Sequence, residues 1–225
     1  MLTILSAAIA PALALLTFFY LKDRLEPEPL GMVLRTFLYG ALLVFPIMFI
    51  QYALKAEGVS THPLVYSFFT IGFMEEFFKW FIFLYTAFRH TEMDSVYDGI
   101  IYGVSISLGF ATVENVLYLF AHGVDYAFTR ALFPVSSHAL FGVLMGYYLG
   151  RAKFGSRHPR LRVFGAMLVP FLLHGLYDYI LLAVTFNWVY VQAPFMIILW
   201  IIGLRKVRAA IRHPIEQIQM KESGS

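Results

Sequence analysis

Long apolar runs, separated by short polar or charged segments, dominate this sequence of 225 residues. The runs cover residues 2–21, 31–53, 64–88, 97–121, 128–149, 162–184 and 188–204. A helix needs about 20 mostly apolar residues to cross a bilayer, and each run is close to that length. Because 60% of the residues are hydrophobic and only 14% are charged, little of the chain remains for a soluble domain. The sequence therefore predicts an all-α polytopic membrane bundle of about seven transmembrane helices.

The Lys and Arg residues are unevenly distributed between the predicted loops. With the N-terminus outside, 14 of the 17 face the cytoplasm, Lys55 and Arg130 lie outside, and Lys79 lies within a span. Cytoplasmic loops carry this excess in membrane proteins, so we expect the N-terminus outside and the C-terminus in the cytoplasm. One transmembrane domain over residues 1–204 would precede a basic, polar cytoplasmic tail over 205–225. Because topology accounts for the basic pI of 9.0, we expect no nucleic-acid partner.

Two adjacent carboxylates interrupt the third apolar run, in the stretch FMEEFFKWFIF over residues 73–83. Glu75 and Glu76 lie near the predicted midplane, and Lys79 follows at i+4 and i+3 on the same helix face. A charged side chain at the bilayer centre costs about 2.5–3.5 kcal/mol, so such groups normally face a partner or a cavity. Lys79 is expected to be a structural counter-ion. A hydrogen-bonding strut would not require two adjacent carboxylates, so the pair predicts a functional site.

The next three runs also carry polar residues at overlapping predicted depth. Glu114 and Asn115 are adjacent in the fourth run, and His138 and His174 each follow a proline by four residues in the fifth and sixth. Asp178, at i+4 from His174, can hydrogen-bond the imidazole and fix its tautomer. Any one of these side chains taken alone could be an interhelical strut, and Asn115 is the best candidate for that role. Together they predict one site that opens toward the outer side.

Small residues recur every four positions in the fourth and fifth runs, a spacing that lets neighbouring helices approach closely. The two stripes are Gly99, Gly103 and Ser107, and Gly142, Gly146 and Gly150. Glu114 lies seven residues beyond Ser107, nearly two helical turns, and therefore on much the same face. The stripes predict close helix packing, with Glu114 pointing into the bundle.

The residue types in this predicted site suit hydrolysis, which needs a base for water, donors for the oxyanion and an acid for the leaving group. Two histidines can serve as acid and oxyanion donor. Alternatively, His138, His174 and Glu76 can bind a divalent metal such as zinc while a second glutamate acts as base. The sequence contains no His-Glu-x-x-His motif, and the metal question stays open at this point. The chain also lacks cysteine and a Gly-x-Ser-x-Gly motif, which excludes a thiol nucleophile and disfavours a serine one.

Motifs on successive runs resemble the PrsW family of bacterial intramembrane proteases. The motifs are EEFFK at residues 75–79, FATVEN at 110–115, His138, and HGLYD at 174–178. The similarity extends from the first run to Leu204, and the family is distantly similar to CAAX prenyl endopeptidases and abortive-infection membrane proteins. In those relatives a histidine stands where this chain has Glu114.

The resemblance implies a multi-pass protease of the bacterial cell membrane, with the lipid bilayer and a single-span anti-sigma factor as partners. It would make the extracytoplasmic-side, or site-1, cut that begins release of an extracytoplasmic-function sigma factor. Carried over by position, the resemblance implies that Glu75, Glu76 and His174 are catalytic and that Glu114 and His138 participate.

Two other function classes remain open from the residues. A proton-coupled transporter or channel would use the glutamates and histidines as a relay. Such transporters usually show repeated halves, which this sequence does not clearly contain. A scaffold protein would tolerate Glu75→Gln and Glu76→Gln.

Overall fold

The computed structural model describes residues 1–22, 27–59, 62–155 and 157–223, with side chains described as far as Arg212. Loop residues 23–26, which include Arg24, and the last two residues of the predicted tail lie outside the described residues. The described chain is helical and contains no β-strand. The predicted all-α class is therefore confirmed.

Seven helical stretches follow one another along the described chain, and they correspond in order to the seven apolar runs. They are α1 (Leu2–Tyr20), α2 (Leu30–Ala56), α3 (63–86), α4 (Val96–His122), α5 (Val124–Phe154), α6 (Pro159–Ala183) and α7 (Val189–Ser223). The last helix continues past residue 204, where the sequence placed the end of its final span.

Two of these stretches change helical type part of the way along. In α3, Pro63–Val65 is followed by a π-helical segment, Tyr66–Phe73, and then by the α-helix Met74–Thr86. In α5, the π-helical segment Ala131–Val135 precedes the α-helix Ser136–Phe154. The second segment contains Pro134, which has no N–H to donate to the preceding turn. π-Helical turns are rare and concentrate at functional sites, and here each directly precedes candidate site residues.

Within the described part of the chain, five helices are long and apolar enough to cross a membrane by length and composition alone, namely α1, α2, α4, α5 and α6. The predicted third span is not among them because every 18-residue window of α3 contains three charged residues, Glu75, Glu76 and Lys79, whereas at most two are compatible with a span by composition. The predicted membrane bundle is confirmed. The number seven and the orientation of the termini stay predictions.

Helix α4 lies at the centre of the bundle and packs against α1, α2 and, most extensively, α5. Its start is fixed by a capping box, in which the Ser95 hydroxyl accepts hydrogen bonds from the backbone N–H groups of Tyr97 and Asp98. The two predicted glycine stripes face each other across α4 and α5. A Cβ on Gly146 would lie 1.9 Å from the Gly99 carbonyl oxygen, so only glycine permits this approach. The predicted close packing is confirmed.

A second close approach joins α3 to α6. A Cβ added to Gly72 would lie 2.9 Å from the backbone nitrogen of Gly175. Gly72 lies one helical turn before Glu76, and Gly175 directly follows His174. The contact therefore brings the glutamate pair of one helix opposite the histidine of the other.

Candidate active site

The structure brings five predicted residues from three helices into one buried group, which we name the central cluster. Its members are Glu75, Glu76 and Lys79 of α3, His138 of α5 and His174 of α6. Three other predicted residues lie around it: Glu114 and Asp178 each contact a histidine of the cluster, whereas Asn115 does not. The sequence thus identified the correct neighbours, and their catalytic roles stay predictions.

Glu76 is the most enclosed carboxylate of the cluster, with no exposed surface. Its Oε1 accepts a hydrogen bond from Lys79 Nζ at 2.8 Å and lies 2.9 Å from His174 Nδ1. Its Oε2 is buried and has no hydrogen-bond partner among the described residues. A buried carboxylate oxygen without a partner is costly, so this atom needs a water molecule or a cation.

Glu75 is held less tightly than Glu76. Its Oε2 lies 3.4 Å from Lys79 Nζ and 3.9 Å from His174 Nε2, and its Oε1 accepts a hydrogen bond from Gln51 Nε2 at 3.3 Å. The side chain keeps 8% of its surface exposed. Sequence reasoning did not single out Gln51, although an amide near the end of an otherwise apolar run was a usable signal.

Lys79 is fully buried, and its ammonium lies among three members of the cluster. Besides the ion pairs with both glutamates, Nζ lies 3.2 Å from His138 Nδ1 and 4.2 Å from the centre of the Phe110 ring. The ion pairs agree with the predicted counter-ion role. The contact with His138 was not predicted, because the two residues are 59 positions apart in sequence and lie on different helices.

The hydrogen-bonding capacity of Lys79 determines the tautomer of His138. An ammonium group donates only, so His138 Nδ1 must accept and the ring proton must lie on Nε2. That nitrogen lies 3.0 Å from Glu114 Oε2 and donates to it. Glu114 is therefore the carboxylate that orients His138.

His174 lies on the opposite side of the cluster, and a carboxylate rather than an ammonium faces its Nδ1. Nδ1 lies 2.9 Å from Glu76 Oε1, while Nε2 lies 3.3 Å from Asp178 Oδ2, close as the i+4 spacing predicted but without the predicted hydrogen bond. Both imidazoles therefore turn Nδ1 toward the cluster and Nε2 toward a peripheral carboxylate. Carboxylates placed in this way fix the tautomer and orientation of histidines that bind metals or transfer protons.

Asn115 lies beside this group and has a structural role. Its Nδ2 donates to the Ala8 carbonyl of α1 at 2.9 Å, and its Oδ1 accepts from Arg130 Nε at 2.8 Å. These interhelical contacts agree with the strut alternative, and a supporting role in the site stays a prediction. Sequence reasoning had treated Arg130 only as a charge on the outer side, but the structure buries it with 9% of its surface exposed.

Four members of the cluster form a donor set suited to a divalent metal. Glu75, Glu76, His138 and His174 are buried, and their candidate ligand atoms all lie within 4.8 Å of one another. Imidazole nitrogens with carboxylate oxygens are the set that catalytic zinc sites use, and the unpartnered Glu76 Oε2 offers a free ligand atom. The residues therefore fit a metal in number, type and proximity, and a bound metal would take the His138 Nδ1 lone pair that Lys79 contacts in this structure.

Comparison with known proteins agrees with this site. The family profile described as "PrsW family intramembrane metalloprotease" matches residues 28–202, which include the whole cluster. The chain is 54% identical to Protease PrsW of Bacillus subtilis (strain 168) over 211 residues, covering 93% of this chain and 96% of that protein.

More distant relatives carry the same name. Protease PrsW of Geobacillus kaustophilus (strain HTA426) is 53% identical over 93% of each chain. Protease PrsW of Clostridioides difficile (strain 630) is 35% identical over 92% of this chain and 90% of that protein. No solved structure matches the chain.

These matches cover nearly the full length and favour the protease over the transporter or channel alternative, which no finding supports. With the apolar helices, they identify a multi-pass bacterial membrane protein and a membrane-embedded peptidase. The chain belongs to the PrsW family of intramembrane metalloproteases.

Proposed function

We propose that this protease makes the site-1 cut, on the extracytoplasmic side of the membrane, in a single-span anti-sigma factor. The cut begins regulated intramembrane proteolysis that releases an extracytoplasmic-function sigma factor. The observation that carries the catalytic part of the proposal is the central cluster, where two glutamates meet two carboxylate-backed histidines. The substrate class rests on the family resemblance.

Glu75 is the proposed general base. It has the longer contact with Lys79, 3.4 Å against 2.8 Å for Glu76, and it keeps some exposed surface. A base must reach water and then pass the proton to the leaving amine, which a loosely held carboxylate at the edge of the cluster can do. Gln51 orients this carboxylate through Oε1 and leaves Oε2 nearer the cluster.

Glu76, His138 and His174 are the proposed metal-binding residues. When bound, a divalent metal such as zinc supplies Lewis-acid polarisation of the scissile carbonyl. Glu114 and Asp178 hold the two imidazoles so that Nδ1 faces the cluster. Lys79 balances the charge of the paired glutamates within the bundle.

The accessible edge of the site is formed by the peripheral carboxylates. The Glu114 and Asp178 side chains are 34% and 16% exposed, whereas the Glu76 side chain is fully enclosed. With the predicted topology, this edge opens toward the outer side of the membrane. A substrate segment just outside its own span would meet the cluster there.

Cleavage of a tagged substrate tests the proposal. A single-span anti-sigma factor carrying one tag on each side of the membrane is co-expressed with wild type, Glu75→Gln, Glu76→Gln or His174→Ala at matched membrane levels. Wild type should shorten the extracytoplasmic part, and the three variants should not. The control is Glu57→Gln, the same chemical change at an exposed glutamate, which should cut normally.

Equal trimming by wild type and all variants would assign the cut to another protease. Metal content is measured separately on purified protein. Wild type should retain about one zinc per chain, and His174→Ala should retain much less. A wild-type protein that cleaves after its metal has been fully removed would contradict the metal-binding assignment.

A further inference from the structure

Arg130 is a buried cation beside the site that has no place in the proposed chemistry so far. It lies in the first part of α5, directly before the π-helical segment, yet its side chain reaches α4. Its Nε donates to Asn115 Oδ1 at 2.8 Å, and its guanidinium lies 4.2 Å from the centre of the Tyr118 ring. Two neighbours on one helix face thus fix the guanidinium plane.

The guanidinium also contacts the carboxylate that orients His138. Arg130 Nη2 lies 3.3 Å from Glu114 Oε1, while Glu114 Oε2 lies 3.0 Å from His138 Nε2. One oxygen of Glu114 is therefore engaged by the arginine and the other by the histidine. Because Glu114 is partly exposed, a carboxylate held only by His138 would be free to turn toward water.

Asn115 anchors this arrangement to a third helix. Its amide donates to the Ala8 carbonyl of α1 while its oxygen accepts from Arg130. The position of the guanidinium is therefore set by contacts outside the central cluster. A continuous series of contacts therefore connects the α1 backbone to the His138 ring, by way of Asn115, Arg130 and Glu114.

We propose that Arg130 is a positioning residue for proteolysis, holding Glu114 so that this carboxylate keeps the Nε2–H of His138 and turns the Nδ1 of the ring toward the cluster. The kinetic consequence of this inference depends on the proposed function. Arg130 touches neither the proposed base nor a proposed metal-binding residue and reaches the site only through Glu114, so its loss should lower turnover far more than substrate affinity. A merely structural cation would instead change stability without changing the state of the His138 ring.

The kinetic test compares Arg130→Gln, Arg130→Lys, Glu114→Gln and the double variant in purified, reconstituted protease. Arg130→Gln should lower kcat about 10–100-fold, the usual effect of removing a group that orients a metal-binding histidine. KM should stay within about two-fold. Arg130→Lys, which retains the charge, should recover part of the loss. The double variant should be no slower than Glu114→Gln alone, because both changes break one linkage.

The matched control is Lys55→Gln, which neutralises the other cation predicted on the outer side and should leave kcat unchanged. Normal turnover by Arg130→Gln, or a change in KM alone, would overturn the proposal. A wild type that cleaves no better than Glu76→Gln would contradict the proposed function instead. In that case the following measurement still tests the positioning role, since it requires no substrate.

Nitrogen NMR of ¹⁵N-histidine-labelled protein reports the hydrogen bond of the ring nitrogens directly, with the His138 signals assigned by His138→Gln. Lys79 keeps the His138 proton on Nε2 in wild type and variant alike, and Arg130→Gln should shift the Nε2 resonance because the hydrogen bond to Glu114 is lost. Arg130→Lys should restore the wild-type resonance. If Arg130→Gln folds and its His138 signals match those of wild type, Arg130 does not position this ring. Should Arg130→Gln fail to fold, the charge-balanced double variant is expected to fold and to show the shifted Nε2 resonance.

Discussion

Two buried groups of acidic residues in this protein differ in what stabilises their carboxyl groups. The central cluster surrounds Glu75 and Glu76 with Lys79 and two histidines. The second group, which we name the Glu28 group, consists of Glu28, Asp98 and Tyr102. Within the described residues, Glu28 makes no ion pair, and its carboxylate is contacted by the Tyr102 hydroxyl.

In the Glu28 group a bound proton neutralises the buried carboxyl, whereas in the central cluster the Lys79 ammonium balances the charge of the glutamates. Burial raises the pKa of Glu28 to about 9, and the neighbouring Asp98 carboxylate adds to the increase. Asp98 Oδ2 accepts backbone hydrogen bonds from Asp94 at 2.8 Å and Ser95 at 2.5 Å at the start of α4. The group thus joins the segment before α2 to α4 by hydrogen bonds. The comparison shows that burial of a carboxyl group does not by itself indicate catalysis; cations, histidines and an unpartnered oxygen beside it do.

The largest difference between the two groups should appear when each loses one carboxylate. Glu76→Gln should reduce cleavage by at least about 100-fold, within the range for loss of a catalytic acid–base group or metal ligand. Glu28→Gln makes the same chemical change in the other group and should leave cleavage within about two-fold, since the described hydrogen bonds of Glu28 are with Tyr20 and Tyr102 and not with the cluster. Initial rates on a tagged substrate measure both. Equal losses would show that the distinction between the groups is wrong.

Removing the cation should make the central cluster resemble the Glu28 group. Lys79→Met leaves two adjacent buried carboxylates without an ammonium, and breaking a buried ion pair in this way costs about 3–5 kcal/mol. Thermal unfolding in detergent should show a large decrease in Tm. Adding Glu76→Gln to Lys79→Met should recover part of it, because one uncompensated charge is then removed. An unchanged Tm in Lys79→Met would refute the counter-ion role.

The central cluster, unlike the Glu28 group, depends on the close approach of α3 and α6. Gly72→Ala would place a Cβ 2.9 Å from the Gly175 nitrogen and push His174 away from Glu76. A displacement of about 1 Å at a catalytic group can cost about 100-fold in rate, so we expect a loss of about 10–100-fold. Gly165→Ala is the control, since a Cβ at Gly165 meets nothing within 4 Å. Cleavage rates at matched protein levels should show the loss in Gly72→Ala and a normal rate in Gly165→Ala; equal rates would contradict the role of the close approach.

The smallest expected effect is a pH dependence of stability in the Glu28 group. The native state holds the Glu28 proton up to a pKa of about 9, whereas the unfolded chain releases it near 4.5. Stability should therefore fall as pH rises between these values, because the unfolded state binds fewer protons. Glu28→Gln mimics the protonated form and should match wild type near pH 4.5.

At pH 9 the Glu28→Gln variant should have a higher Tm than wild type, because only the wild-type protein loses stability as the Glu28 proton is released. Thermal unfolding at both pH values gives the comparison, with Glu57→Gln as the exposed-glutamate control. A Tm difference that does not change with pH would contradict the assignment of a bound proton to Glu28.

Much of the site was predictable because residues in a membrane are restricted in type. A carboxylate or imidazole inside an apolar run has few alternatives to a shared site, so Glu75, Glu76, His138 and His174 could be grouped from sequence. The proximity of His174 and Asp178 follows from their local i+4 spacing and is confirmed at 3.3 Å, whereas the predicted hydrogen bond between them is not formed. Arg130 and Gln51 were missed because each lies near the end of a run, where a polar residue also has a routine interfacial explanation.

The sequence by itself determined the helical membrane fold, since apolar runs of about 20 residues in a bilayer must satisfy their backbone hydrogen bonds within a helix. It also determined which helices could approach closely, through glycines at four-residue spacing. Only the tertiary structure decided which face of each histidine meets the cluster. That choice depends on contacts such as Lys79 with His138 and Arg130 with Glu114, which join different helices and follow no sequence period.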